Sequence, residues 1–371
     1  MSHEAFMRAA LELAQRSVGY TSPNPMVGAV IVRGGEIIAQ GWHKKYGGLH
    51  AEREAFAYCD ERGIDCTGAD MYVTLEPCCH HGKQPPCTEA VIAHGIKRVF
   101  IGSADPNPLV AGKGVRILRD HGIEVTENVL RDECDAINEI FFHYITTKRP
   151  FVTMKYAMTM DGKTACYTGE SKWITGESAR KHVQHERLRH SAIMAGIGTV
   201  LADDPLLTCR LEGGRDPVRI ICDSSLRIPL DSNIVKTSHA TPTVIATVSP
   251  DERKASALEN AGCRIVRTSS CNGKVDLREL MKILGEDMKI DSILLEGGSR
   301  LNWSALNSGI VTKVQAYIAP KIFGGEAAKT PVGGCGVRSP SEAFLLSGSN
   351  IVRIGDDIMI ESRVKYVHGN S

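Results

Sequence analysis

Residues able to bind a metal stand close together in the first quarter of the chain. They are His50 in His50-Ala-Glu52, and Cys78 and Cys87 within Leu75-Glu-Pro-Cys-Cys-His-His-Gly-Lys-Gln-Pro-Pro-Cys87. One imidazole and two thiolates supply three of the four ligands of a tetrahedral zinc. The fourth position stays open to water, the arrangement of a catalytic rather than a structural site. Glu52, two residues past the histidine, can reach that water without ligating the metal. Zinc lowers the pKa of a bound water toward about 7, and a nearby carboxylate can take its proton and later deliver it to a leaving amine. Cys79, His80 and His81 lie between the two cysteines as rival ligands; Cys79 does not easily replace Cys78, because adjacent side chains diverge. One zinc per chain is expected.

A second kind of chemistry is legible further on. Ser292-Ile-Leu-Leu-Glu-Gly-Gly-Ser-Arg-Leu301 reads as an apolar strand, two glycines and a helix start, where backbone amides can approach a phosphate and the helix N-terminus favours its charge. Arg187 lies in a basic helix with His182, His185, Arg189 and His190.

The elements that must position these residues alternate. Residues 5–16 form an amphipathic helix, and the runs 27–32 and 37–42, joined by Arg33-Gly-Gly-Glu36, form a hairpin. Helices are expected at 51–62, just after Cys87, at 115–121 and at 132–147, with strands at 71–75, 98–102 and 123–125. Pro150 disfavours helix continuation, so one domain is expected over 1–147 and a second over 148–371. The second alternates again, with strands at 151–157, 192–195, 218–222, 243–247, 292–295 and 314–318, and helices at 177–189, 251–261, 276–284 and 301–308. This is an α/β layered organisation in both halves. A length of 371 residues suits two domains at roughly 150 residues each.

Composition removes other classes. Lys plus Arg is 44 and Asp plus Glu is 43, a net charge of +1, which argues against coating nucleic acid or an anionic membrane by bulk charge. No apolar run approaches the roughly 18 residues of a membrane span. The start, Met1-Ser-His-Glu-Ala-Phe-Met-Arg8, has no secretory character. Twelve cysteines in a chain this long fit free thiols in a cytoplasmic protein better than a disulfide framework.

His-x-Glu followed by Pro-Cys resembles the cytidine-deaminase superfamily, with eight residues between Cys78 and Cys87 in place of the usual two. That long loop, with Ser22-Pro-Asn-Pro-Met-Val-Gly-Ala-Val30 and Asp105-Pro-Asn-Pro-Leu-Val-Ala-Gly-Lys-Gly114, resembles the deaminase half of the bifunctional riboflavin-biosynthesis deaminase–reductases, in which Ser typically stands where this chain has Cys79. The reductase half of the same family is resembled by Met154-Lys-Tyr-Ala-Met-Thr-Met-Asp-Gly-Lys163, Gly169-Glu-Ser-Lys-Trp-Ile-Thr175, the stretch from Gly198 to Arg210, and Ile318-Ala-Pro-Lys-Ile-Phe-Gly-Gly325.

The resemblance implies a cytidine-deaminase-like layered α/β domain followed by a dihydrofolate-reductase-like α/β domain. It implies hydrolytic deamination of a phosphoribosylamino-pyrimidinone, then NADPH-dependent reduction of the ribosyl group to ribityl. It assigns Glu52 as catalytic, His50, Cys78 and Cys87 to zinc, and Asn24 to the pyrimidine. Lys155, Ser171, Arg187, Leu207, Arg210 and Glu296 go to the sugar-phosphate substrate, and Ala157, Trp173, Thr199, Asp203, Ser224 and Gly298 to the dinucleotide. A homo-oligomer acting on a small molecule, without nucleic-acid or membrane partners, is expected. The alternative is a transfer-RNA-type editing deaminase with an accessory nucleotide-binding domain. It calls for a basic, aromatic-lined surface, whereas aromatic residues make up 5% of this chain.

Overall fold

The computed structural model describes residues 2–366. The chain divides into two compact units, Met1–Lys148 and Arg149–Ser371. Among the described residues no helix is long and apolar enough to cross a membrane.

The first unit runs α1 (His3–Gln15), β1 (Gly28–Arg33), β2 (Glu36–Trp42), α2 (Ala51–Arg62), β3 (Asp70–Leu75), α3 (Cys87–Ala93), β4 (Arg98–Ser103), α4 (Lys113–Asp120), β5 (Glu124–Thr126), α5 (Arg131–Ile137) and α6 (Glu139–Thr147). Its five strands are ordered β2-β1-β3-β4-β5. β1 is antiparallel to β2 and β3, while β3, β4 and β5 are parallel. Alternate residues of β1 enter different cores. Ala29 and Ile31 pack with α2, α3 and α4 residues, and Val30 and Val32 with α1. A strand buried on both faces must be apolar throughout, which is why 28–32 reads as an unbroken run.

Two local features place the chemistry. Gly41 lets α2 lie directly on β2, since a Cβ there would stand 2.3 Å from the Ala51 carbonyl and 2.5 Å from the Ala55 nitrogen. Asn138 breaks the single helix expected over 132–147 into α5 and α6. Its buried amide accepts from Met26 N at 2.8 Å and donates to Met26 O at 2.9 Å, tying the helices to the entry of β1.

The second unit begins with β6 (Phe151–Thr159), α7 (Glu177–Arg189), β7 (Ala192–Gly196), α8 (Ile197–Asp203), β8 (Val218–Cys222), α9 (Asn233–Lys236) and β9 (Thr243–Thr247). It continues through α10 (Glu252–Asn260), β10 (Cys263–Arg267), the small ribbon β11 (Ser270–Cys271) and β12 (Lys274–Val275), α11 (Leu277–Glu286), β13 (Ser292–Leu295), α12 (Ser299–Asn307), β14 (Lys313–Ala319), β15 (Leu345–Ile354) and β16 (Asp357–Lys365). Nine strands form one sheet in the order β10-β9-β8-β7-β13-β6-β14-β16-β15. It is parallel from β10 to β14, and the β15–β16 hairpin adds antiparallel strands at the edge. One face is covered by α11 and α12, the other by α8, α9 and α10. The sequence reading lacks β10, α8, α9 and the β15–β16 hairpin. In β15 most positions are exposed and none is buried, so neither an apolar run nor a clean alternation marks it.

Candidate active site

In the first unit the candidate metal ligands converge because two of them sit where helices begin and the third, Cys78, just past the end of β3. His50 is the N-cap of α2, and Cys87 is the first residue of α3, directly after Pro86. His50 Nδ1 lies 3.5 Å from Cys78 Sγ and 3.4 Å from Cys87 Sγ, and the three ligand atoms lie within 4.8 Å of one another. Tetrahedral zinc, with bonds of about 2.3 Å to sulfur and about 2.1 Å to nitrogen, holds such donors roughly 3.5 Å apart. The donor set therefore fits zinc by both chemistry and spacing.

The electrostatics agree. The hydrogen bond with Cys87, aided by His50 and opposed by burial, brings the Cys78 thiol down to about 4. The same contact, with burial, pushes Cys87 well up, and a bound zinc would hold both sulfurs as thiolates. Glu52, on the first turn of α2, is 3% exposed. Burial and then the charge of Cys78 raise its pKa, as expected of a carboxylate kept from water.

The rival ligands point elsewhere. Cys79 Sγ donates to the Leu109 carbonyl at 3.6 Å, His80 Nδ1 is buried without a hydrogen-bond partner, and His81 is exposed. Asn24 is held by His43. Because His43 Nδ1 meets the Leu49 carbonyl at 2.8 Å and burial lowers the ring's pKa, the neutral ring presents Nε2 as an acceptor. The Asn24 amide nitrogen donates to it at 3.3 Å.

Sequence reasoning missed two residues here, His43 and Glu76. Glu76 is 4% exposed and accepts from the backbone N–H groups of Asp105 (3.4 Å), Gly112 (3.0 Å) and Val115 (3.2 Å). It fastens the 105–114 loop beside the metal ligands. A glutamate ending the buried strand β3 was the available signal.

In the second unit three expected substrate residues meet. Glu296, just past β13, is bridged by Arg187 Nε at 2.7 Å and Nη2 at 3.2 Å, and Lys155 Nζ lies 3.7 Å away. Burial alone would raise the Glu296 pKa, but Arg187 and Lys155 outweigh it and hold the group at about 2. Burial pulls Lys155 down, with Glu296 opposing that pull and Arg187 adding to it. Arg187 Nη1 also donates to the Thr208 carbonyl at 2.8 Å.

Arg210 is exposed, whereas Leu207 is 5% exposed with its side chain in the core, which leaves little of that residue on the surface. Ser171 is half-buried. Trp173 is exposed, with the Arg180 guanidinium 4.8 Å from its ring centre. Gly298 caps α12 without a side-chain cap, and a Cβ there would stand 3.6 Å from Thr199 Oγ1. A helix start open to a phosphate is thus bordered by Thr199. Ser224 Oγ accepts from Val275 N at 3.2 Å, Asp203 is exposed at the end of α8, and Ala157 packs beside α7 and Tyr317.

The depressed Glu296 pKa has a signed consequence. A group whose folded pKa lies below its unfolded value stabilises above the unfolded value, and that contribution disappears as pH falls through the folded value. Wild type should therefore lose about 3 kcal/mol of second-unit stability between pH 4.5 and about 2. Glu296→Gln should lack this acid-dependent loss. Thermal unfolding of both proteins across that range checks it; parallel curves would refute it.

Fold and site together define the class: a layered α/β unit with a His-Cys-Cys donor set suited to zinc, followed by a largely parallel-sheet unit whose α12 opens on two glycines. Residues 1–103 match the cytidine and deoxycytidylate deaminase zinc-binding region, and residues 150–360 match the RibD C-terminal domain. The chain is 56% identical to riboflavin biosynthesis protein RibD of Actinobacillus pleuropneumoniae, covering 96% of this chain and 94% of that one. It shares 39% identity and a TM-score of 0.84 with the solved diaminohydroxyphosphoribosylaminopyrimidine deaminase/5-amino-6-(5-phosphoribosylamino)uracil reductase of Thermotoga maritima, over 98% of each chain. With a solved Acinetobacter baumannii RibD it shares 34% identity and a TM-score of 0.85, over 98% of this chain and 99% of that one. The chain belongs to the RibD family of riboflavin-biosynthesis proteins. The transfer-RNA-type alternative is not favoured by relatives that match along nearly its whole length.

Proposed function

We propose that this chain is a bifunctional enzyme of riboflavin biosynthesis. Its first unit removes the 2-amino group of 2,5-diamino-6-(5-phosphoribosylamino)pyrimidin-4(3H)-one, and its second reduces the ribosyl group to ribityl with NADPH. The observation that carries the reading is the His50–Cys78–Cys87 triangle beside buried Glu52, in a chain whose second unit also matches the family.

His50, Cys78 and Cys87 would hold a zinc ion, which would supply Lewis acidity toward a water. Glu52 takes that water's proton and returns it to the departing amine, and burial makes it a stronger base than a surface glutamate. Asn24, whose NH₂ is turned to His43, offers its carbonyl oxygen to an N–H of the pyrimidine.

In the second unit a bound NADPH would supply the hydride for reduction of the ribosyl group. Gly298, Thr199, Ser224, Asp203, Trp173 and Ala157 would hold the dinucleotide, the uncapped start of α12 offering its N–H groups to a phosphate. Lys155 and Glu296 orient the ribosyl hydroxyls. Arg210 and Ser171 meet the phosphate, with Arg187 beside them, tied to Glu296 and Thr208, while the buried Leu207 anchors the turn that carries Arg210. The protein's part is to bring donor and acceptor together.

The test is an assay of ammonia release from the phosphoribosyl pyrimidine. Ammonia should appear without NADPH, and NADPH should be consumed only once deaminated product is present. No ammonia release by zinc-loaded protein would overturn the reading.

We also infer a cytoplasmic homo-oligomer. All 12 cysteines are free, as suits a reducing compartment. β15 leaves a long edge bearing exposed Leu345, Leu346 and Ile351, a pattern that in stable proteins is paired or covered. Light scattering should show an oligomer that Ile351→Lys weakens; a wild-type monomer at micromolar concentration would refute this.

A further inference from the structure

Residues 206–210, between α8 and β8, form neither helix nor strand, yet side chains from outside the segment hold four of their backbone groups. Arg219 Nη1 donates to the Leu206 carbonyl at 3.2 Å and Arg187 Nη1 to the Thr208 carbonyl at 2.8 Å. Cys209 N donates to Asp216 Oδ1 at 2.8 Å, and Arg210 N to Gln184 Oε1 at 3.0 Å. Chain without regular structure normally satisfies such groups with water and stays mobile.

The holders are themselves fixed. Arg219 is 0% exposed, and its other N–H groups go to Thr237 Oγ1, Thr243 Oγ1, and the Ile234 and Thr241 carbonyls. Asp216 Oδ2 accepts from Thr241 Oγ1 at 3.1 Å. Gln184 projects from α7 at 9% exposure. The Leu207 side chain is sunk in the core beneath α8. Two side chains of the segment remain outside, Leu206 at 47% exposure and Arg210, and of these only Arg210 carries a charge. All this anchoring converges on one exposed guanidinium whose backbone cannot drift.

We propose that Gln184 is a positioning residue for the reduction. It fixes the Arg210 backbone so that the guanidinium stands ready for the substrate's phosphate, while Asp216 and Arg219 hold the segment behind it. This rests on the reading that Arg210 binds that phosphate. A group already ordered before binding loses less freedom when the ligand arrives, so the benefit lies in substrate affinity rather than in the hydride step.

Steady-state reduction of the phosphorylated substrate, and of the same compound without its phosphate, separates the possibilities. Gln184→Leu removes the acceptor and should raise KM about tenfold, the size of one buried donor left unpaired. The kcat should change little. The penalty should vanish on the dephosphorylated compound, and Gln184→Glu, which keeps an acceptor oxygen, should restore most of the affinity. Arg210→Ala should raise KM by at least as much. Adding Gln184→Leu to it should cost nothing further, because residues acting through one another are not additive. Unchanged ammonia release confirms a sound preparation.

If Arg210→Ala leaves KM unchanged, the reading of Arg210 is wrong and the role of Gln184 falls with it. If Arg210→Ala raises KM while Gln184→Leu does not, or the two effects add, the positioning role alone is overturned. A KM penalty that persists without the phosphate, or a fall in kcat that Gln184→Glu does not rescue, marks Gln184 as merely structural and likewise overturns it.

Discussion

Glu52→Gln is expected to lower ammonia release by about 10²–10⁴-fold, the usual contribution of a positioned general acid–base, while reduction of already deaminated substrate proceeds at the wild-type rate. Glutamine keeps the reach and hydrogen-bonding capacity of the side chain but cannot accept the proton. The fold should survive. Glu52 is 3% exposed, and exchanging a buried carboxylate for a neutral amide removes a desolvation cost. Zinc content should also survive, because Glu52 is not one of the three ligand donors. Reduction is insulated, since Glu296, Arg187 and Lys155 belong to a unit with its own sheet and core. Both activities are measured on purified protein with separate substrates. An equal fall in both, in folded protein, would contradict the division of labour.

Cys87→Ser should abolish deamination together with zinc binding. A serine hydroxyl is a poor zinc ligand near neutral pH, and two remaining donors do not hold the ion against buffer or glutathione. The substitution is gentle toward the backbone, because Cys87 opens α3 behind Pro86, a region of a helix where serine is well tolerated. Loss of metal is therefore distinguishable from loss of fold by circular dichroism and elemental analysis. Chelation of wild type should produce the same phenotype and added zinc should reverse it; reduction should be indifferent to both. Cys79→Ser is the control and should be nearly silent, since that thiol faces the Leu109 carbonyl. Full zinc occupancy and turnover in Cys87→Ser would remove Cys87 from the site.

How much of this was legible depended on whether a residue's job could be seen locally. His50 and Glu52 opening α2, and Gly297-Gly298 opening α12, are signals contained within a few positions. So is the apolar run of β1, whose two buried faces leave no room for polar residues. The deaminase–reductase identity came from longer motifs matched as wholes. Asn138 gave no local sign that it would break a helix, because the cause is Met26, far away in sequence. Arg219 looked like an ordinary charge in Val218-Arg-Ile-Ile-Cys222, although an arginine inside an otherwise apolar strand is a usable warning of a buried guanidinium. Gln184, from another element, and Asp216, from nearby chain, act on the backbone of 209–210, and backbone partners leave no residue-type signature. β15 was invisible for the opposite reason: an exposed edge strand has no buried face to impose a pattern.

The contact at Gly41 bears on which sequence changes this chain can accept. Strand β2 touches α2 along its opening turn, the same turn that carries Glu52 behind His50. A single added methyl at position 41 would have to lift that turn off the sheet, away from the loop bearing Cys78 and from the start of α3. Site and scaffold are thus not separable layers here. A position with no side-chain polar atom, facing a helix backbone, sets the height at which His50 and Glu52 stand. Genetic drift at such a position would show itself as lost turnover and misplaced metal before it showed itself as an unfolded protein.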